Sequence, residues 1–197
     1  MNIAVYKRGY MRRLLLISGD LATGKSTFAE ILSQRYGVAV MYKDKIKEVL
    51  GDTIGFANRE ENKRLSVATM ALMTYGFSEL AALHKDAILE ANFKADEMKR
   101  LHEIATQNGY EVLTLILSAD MDIIYKRFVN RIENENRHAV HISGFDGYES
   151  LKNYIELGRE EKTFGEVINV SANDFSYQTD EKLLQKIDRF MLNTHLS

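Results

Sequence analysis

The most chemically specific stretch of the sequence is Gly19-Asp20-Leu21-Ala22-Thr23-Gly24-Lys25-Ser26, followed by Thr27. It fits the pattern G-x-x-x-x-G-K-[ST], and each fixed position has a physical reason. The glycines let the backbone curl so that successive N–H groups point inward at phosphate oxygens, and the helix that follows starts with its positive dipole end toward the anion. Lys25 then reaches the β- and γ-phosphates, and the Ser26 hydroxyl is placed to ligate Mg²⁺. The expected ligand of residues Gly19 to Thr27 is a nucleoside triphosphate, ATP with Mg²⁺.

Other residues bear on what is done with the γ-phosphate. Asp44, in Tyr42-Lys43-Asp44-Lys45, follows the second apolar run and is a candidate base that accepts a proton from, or orients, a substrate hydroxyl. A second role for Asp44 is the N-cap of a helix over Lys45–Leu50, and the two are not exclusive. Glu90 and Asn92 close the third run as candidate substrate contacts, Glu90 also supporting water around Mg²⁺; no aspartate stands there. Arg127 and Arg131 lie four apart on one face of a helix expected over Asp120–Ile132, capped by Ser118 or Asp120. With Arg137 they offer permanently charged forks that could close over a triphosphate. A solvated face paired with Glu133 and Glu135 is the plainer reading of the same residues. His138 and His141, three apart without a third ligand, fit lid or substrate contacts better than zinc. The segment Ser143–Gly147 is expected to be a flexible loop within a lid over 132–158 that excludes water.

These groups need a scaffold to bring them together. Continuous apolar runs recur at Leu14–Ser18, Val38–Met41, Ala87–Ala91, Val112–Leu117 and Val167–Val170, separated by stretches with helical spacing. Runs without in–out alternation suit strands covered on both faces, so five parallel strands are expected in an α/β fold. Phe28, Ile31, Leu32 and Tyr36 mark the first helix, which Gly37 ends. Leu65, Ala68, Thr69, Leu72, Met73, Gly76, Leu80 and Leu83 mark a long helix. Residues 52–83 exceed a minimal crossover and are read as a helical insertion over the sheet. A last helix is expected over Glu181–Leu192.

Composition sets the frame. The chain has 197 residues, 45% hydrophobic and 27% charged, which suits one globular domain over 1–197. A net charge of −2, from 26 basic and 28 acidic residues, gives no extended nucleic-acid footprint and no pull toward an anionic membrane. Without cysteine there are no disulfides, thiolate metal sites or cysteine nucleophiles, in keeping with a cytoplasmic protein. Lys7, Arg8, Arg12 and Arg13 precede an apolar run too short for a secretory signal or a membrane span. Residues 1–12 are read as a loose extension, with Met11 as an internal start.

Through Gly19–Thr27, Asp44, Glu90–Phe93 and the segment bearing Arg127, Arg131, Arg137, His138 and His141, the chain resembles the small P-loop kinases. This nucleoside-monophosphate-kinase-like group includes gluconate and shikimate kinases, chloramphenicol phosphotransferase and zeta-toxin-type kinases, and is of AAA-type ATP-binding character. The likeness covers most of residues 13–195. It implies a three-layer α/β/α P-loop NTPase fold with a five-stranded parallel sheet, a helical substrate-covering region and a lid. It implies transfer of the γ-phosphate of ATP to a hydroxyl or phosphate, with Asp44 in the acceptor role, Lys25 with Arg127 or Arg131 stabilising charge, and Ser26 on the metal. It places Val170–Asp174 beside the adenine. No sugar-acid, shikimate or nucleoside-monophosphate site is matched, so the acceptor is expected only as a small molecule. Kinases of nucleosides or nucleic-acid ends, and a nucleotide-dependent switch without an acceptor, are the alternatives.

Overall fold

The computed structural model describes residues 11–135, 137–141, 145–160 and 163–192. Residues 1–10 of the expected extension, and Ser143 and Gly144 of the expected loop, lie outside them.

The elements run β1 (Arg12–Gly19), α1 (Lys25–Tyr36), β2 (Val40–Tyr42), α2 (Lys43–Ile54), α3 (Arg59–Ala82), β3 (Ala87–Glu90), α4 (Ala95–Gln107), β4 (Tyr110–Ser118), α5 (Met121–Asn134), α6 (Tyr148–Arg159), β5 (Glu166–Ser171) and α7 (Glu181–Met191). Single 3₁₀ turns lie at Ala139–His141 and Ser176–Thr179. The five strands form one parallel sheet in the order β2-β3-β1-β4-β5, the α/β/α arrangement of P-loop kinases. Leu14 and Leu16 of β1 face Met73, Phe77 and Leu101 of α3 and α4, while Leu15 and Ile17 face Phe28 and Leu32 of α1 and Ile187 of α7. Burial on both faces is why β1 reads as an unbroken apolar run. It also carries the chain to Gly19 at the carboxyl edge, where open parallel sheets place their ligands.

Four expectations are corrected. β2 covers Val40–Tyr42 rather than Val38–Met41, because α1 ends in an αL residue, Gly37, with φ 65°, and the chain needs two more residues to reach the sheet. α2 starts at Lys43 with Tyr42 as N-cap, so Asp44 lies inside the first turn and caps nothing. The buried stripe of α3 is Leu65, Thr69, Met73, Phe77 and Ala81, whereas Leu72 and Leu83 are exposed. That stripe puts α3 on the sheet as the crossover between β2 and β3. Finally, β5 is an edge strand with Val167 exposed, not a strand covered on both faces. Among the described residues, no helix is long and apolar enough to cross a membrane.

Candidate active site

The phosphate loop leaves β1 at Gly19, whose φ is 120°; a Cβ there would lie 2.0 Å from the Leu117 carbonyl oxygen, so only glycine fits. Gly24, φ 81°, turns the chain into α1, and a Cβ on it would meet the Tyr177 hydroxyl at 2.8 Å. Ala22, between them, is also left-handed at φ 56°. The loop is braced from inside: Thr23 Oγ1 donates to the Asp20 carbonyl at 2.8 Å, and Tyr177 Oη donates to the Thr23 carbonyl at 2.7 Å. Lys25 Nζ donates to the Asp20 and Gly19 carbonyls at 2.5 and 3.3 Å, holding the loop's curve from the side a triphosphate would enter. Leu21 packs against the core, while Ser26 and Thr27 are exposed on the first turn of α1.

Burial lowers the pKa of the Lys25 ammonium, opposed by the charges of Glu90, Asp44 and Asp20. Burial pushes the Glu90 carboxyl up, opposed chiefly by Lys25. Ser26 Oγ donates to Glu90 Oε2 at 3.1 Å. A hydroxyl beside a carboxylate at a phosphate loop is a hard-oxygen donor pair suited to Mg²⁺, which completes its shell with phosphate oxygens and water. Among the described residues no group of three His, Cys, Asp or Glu could hold a metal unaided. Asp44, on the first turn of α2, is exposed and within electrostatic reach of Lys25, Glu90, Lys47 and Arg137.

The arginines divide. Arg127 Nη1 donates to the Ala172 carbonyl at 2.7 Å and Nη2 to the Asn173 carbonyl at 2.9 Å, with the guanidinium 4.3 Å over the Phe175 ring. Nη1 also donates to the Ala22 carbonyl at 3.4 Å, so Arg127 ties the loop after β5 to the phosphate loop. Arg131 pairs with Glu135 at 3.1 Å but faces Lys25 and Arg137. Burial, then the charge of Arg131, lowers the Arg137 pKa, and Arg137's guanidinium makes no hydrogen bond or ion pair among the described residues. Arg131 is thus within electrostatic reach of both Lys25 and Arg137, a repulsion that a bound anion would relieve. Asp120 occupies the N-cap of α5 without capping it; its Oδ2 accepts from Asn173 Nδ2 at 3.0 Å.

The described part of the expected lid is docked. The 3₁₀ turn at Ala139–His141 is held to α2 and α3: Lys47 Nζ and Asn62 Nδ2 donate to the Val140 carbonyl at 3.2 and 3.1 Å. His141 Nε2 lies 2.8 Å from Glu48 Oε1, and His138 Nε2 lies 2.9 Å from Asp52 Oδ1. His138 thus faces the far end of α2, away from Lys25. Asn92 lines a cavity beside the phosphate loop that Asp44 and Glu90 do not line. Sequence reasoning missed Arg159, which grips Asp20, and Phe175, under Arg127. Asp20 itself was the available signal, since a carboxylate in an anion-binding loop requires a cation.

A family model described as AAA domain matches residues 14–149. No curated protein matches. Among solved structures, a suspected kinase from Chloroflexus aurantiacus aligns at 23% identity and TM-score 0.78, covering 92% of this chain and 99% of that one. The APS kinase CysC of Mycobacterium tuberculosis, in complex with AMPPNP and APS, aligns at 14% and 0.59, covering 94% and 100%. A gluconokinase from Sinorhizobium meliloti aligns at 12% and 0.58, covering 95% and 100%. At these identities the structural likeness carries the fold.

Proposed function

The chain belongs to the AAA domain family, and from that premise we propose that it is an ATP-dependent phosphotransferase acting on a hydroxyl of a small-molecule acceptor. The observation that carries the reading is a complete phosphate loop whose Ser26 hydroxyl donates to Glu90 at 3.1 Å, with Asp44 on the first turn of α2 in electrostatic reach of Lys25. A carboxylate beside the loop could equally activate water; what a switch does not need is an acceptor site or a turn docked on α2 that excludes water, and these favour transfer.

In this reading the loop N–H groups, Gly19 to Thr27, hold the triphosphate and Lys25 spans its β- and γ-phosphates. Asp44 accepts the acceptor's hydroxyl proton as its oxygen bonds to the γ-phosphorus and the bond to the β-phosphate oxygen breaks, releasing ADP. Arg131 and Arg137 balance charge spreading over the transferring group. Ser26, supported by Glu90, would hold Mg²⁺, which supplies charge neutralisation across the phosphates. Docking of the 3₁₀ turn against α2 keeps water from the transfer. The protein is read as cytoplasmic, in line with its lack of cysteine.

The test is transfer of labelled γ-phosphate to a panel of sugar acids, nucleosides, nucleotide sugars and hydroxyl-bearing antibiotics. Lys25→Ala is expected to lose ATP binding. Asp44→Asn should keep it while transfer falls by about 10²–10⁴-fold. Unimpaired transfer by Asp44→Asn would remove Asp44 from the mechanism.

A further inference from the structure

Behind the phosphate loop, on the sheet face shared with α4, lies a second cavity of about 530 Å³. Its floor is Ile116 of β4 and Val167 of β5; Phe93 and Met98 wall one side, Tyr154 and Leu157 of α6 the other. None of Lys25, Ser26, Asp44 or Glu90 lines it. Gly19 and Asp20 do, so the loop itself separates this space from the nucleotide cleft.

Three features distinguish it from ordinary surface. Ile116 sits on a strand paired on both sides, yet it is only half-buried, while its neighbours Leu115 and Leu117 on the other face are fully buried. α4 and α6 stand apart over β4, and the gap exposes apolar side chains of α6, Tyr154 to 46% and Leu157 to 67%, opposite buried Met98 of α4. Second, the half-buried side-chain amide of Asn92 makes no hydrogen bond among the described residues, and the exposed amide of Asn169 across the space is likewise open to an occupant. Each offers two donors and an acceptor to whatever occupies it. Third, the charges of Arg159 and Asp20 at its inner end cancel in their ion pair, leaving exposed, solvated Lys94 as the other charged lining residue.

We propose that this cavity is a binding site for an uncharged, amphipathic small molecule: a compact apolar body bearing hydroxyl, amide or ring-carbonyl groups that meet Asn92 and Asn169. Its volume lies within the ~300–1,000 Å³ of small-molecule sites. A cavity of about 530 Å³ holds only about one turn of a helix 10–12 Å wide with a 5.4 Å pitch, too little for a partner's helix of several turns. The same chemistry describes either the apolar portion of the phosphoryl acceptor or a separate effector.

The experiment titrates the full chain with N-phenyl-1-naphthylamine, an uncharged probe that fluoresces in apolar surroundings, and independently with a fluorescent ATP analogue. One saturable probe site per chain is expected, not displaced by ATP. Ile116→Trp, which fills the floor, should weaken the probe at least tenfold and leave ATP affinity within twofold. Leu157→Asp, on the exposed wall where folding is not at stake, should do the same. No saturable binding, displacement by ATP, or equal probe affinity in both variants overturns the proposal. Once an acceptor is found by phosphate transfer, its competition with the probe makes the occupant the acceptor's own apolar portion; its indifference makes it an effector. Because probe and ATP titrations need no turnover, failure of this proposal is distinct from failure of the phosphotransfer reading.

Discussion

Arg159, the last residue of α6, holds the carboxylate of Asp20, the second residue of the phosphate loop, through Nη2–Oδ2 and Nε–Oδ1 contacts of 2.6 and 3.2 Å. The Asp20 side chain is only 4% exposed, and its Oδ2 also accepts the Ala119 N–H at 3.2 Å. The Asp20–Arg159 hydrogen bond raises the Arg159 pKa further. Left alone, a buried carboxylate at this point would repel a bound triphosphate. Removing one partner of a buried pair is costly, although the 42% exposure of Arg159 moderates the effect. Arg159→Gln is expected to weaken ATP binding about tenfold, or about 1.4 kcal/mol. Asp20→Asn should do less harm, and adding it to Arg159→Gln should recover most of the loss. Calorimetric titration of the four proteins reads this as a double-mutant cycle; additive losses would show that the pair does not act as a unit.

Ala22 tests how far the loop is preformed. An L-residue in the left-handed region costs roughly 1–2 kcal/mol, and glycine removes that cost while giving the unfolded chain back about 0.5–1 kcal/mol of freedom. Ala22→Gly is therefore expected to stabilise the ligand-free protein by about 0.5–1 kcal/mol, a rise of ~2 °C in Tm. A fall in Tm by calorimetry would mean that the Ala22 methyl makes compensating contacts.

Features set by local chemistry were legible in the sequence, and features set by long-range contact were not. Gly19–Ser26 declares itself because the same few residues make the curve, the N–H cradle and the helix start. The strands were legible because both faces of β1, and of β4 from Val112 to Leu115, are buried. The start of α2 was misplaced because Tyr42 caps it through backbone geometry alone, with no side-chain cap bond. Arg127 and Arg131 share a helix face, as their spacing requires, yet their long side chains diverge, one to the carbonyls after β5 and the other toward Lys25. Nothing local could link Arg159 to Asp20 across 139 positions of sequence.

Gly51 gives direct access to the docked turn. A Cβ there would lie 2.4 Å from Val140 Cγ1 and 3.3 Å from His138 Cε1. Gly51→Ala should therefore push the 3₁₀ turn off α2 and strain the Lys47 and Asn62 bonds to the Val140 carbonyl. Hydrogen exchange at the His141 amide, bonded to the His138 carbonyl at 3.0 Å, is expected to quicken several-fold. The middle of α3 should be unaffected. Unchanged exchange at His141 would mean that α2 yields instead of the turn.

Asp188 of α7 fixes the far end of the phosphate-loop helix. Its carboxylate accepts from Arg35 Nε and Nη2 at 2.7 and 2.6 Å and from Tyr36 Oη at 2.8 Å. The Arg35 hydrogen bond, then that of Tyr36, holds the Asp188 pKa below its ordinary 3.8. A depressed carboxyl pKa contributes stability that is present above the unfolded value and lost as pH falls through the folded one. Asp188→Asn should therefore lower stability by about 1–2 kcal/mol above about pH 5. The gap should close below 3.8, as Asp188 in the parent protein takes up its proton. Urea unfolding of both proteins across that range reads it; a gap independent of pH would assign the loss to packing.

The division of the two arginines makes the sharpest prediction about the nucleotide itself. Arg127 is fixed by the Ala172 and Asn173 carbonyls over Phe175, beside the stretch Val170–Asp174, and a base resting there would stack on these planar groups. Arg131 is within electrostatic reach of Lys25, and Arg137 of Arg131 and Asp44, which in the proposed function is the phosphate end. ATP and inorganic triphosphate separate the two ends. Arg127→Ala should weaken ATP by about 1–2 kcal/mol and triphosphate much less, since triphosphate loses only the long 3.4 Å brace to the Ala22 carbonyl and not the stacked base. Arg131→Ala should weaken both ligands alike and, once an acceptor is known, lower kcat more than it raises KM. Equal loss of both ligands in Arg127→Ala would move that guanidinium to the phosphates and return to the two arginines the shared role that their spacing on α5 suggests.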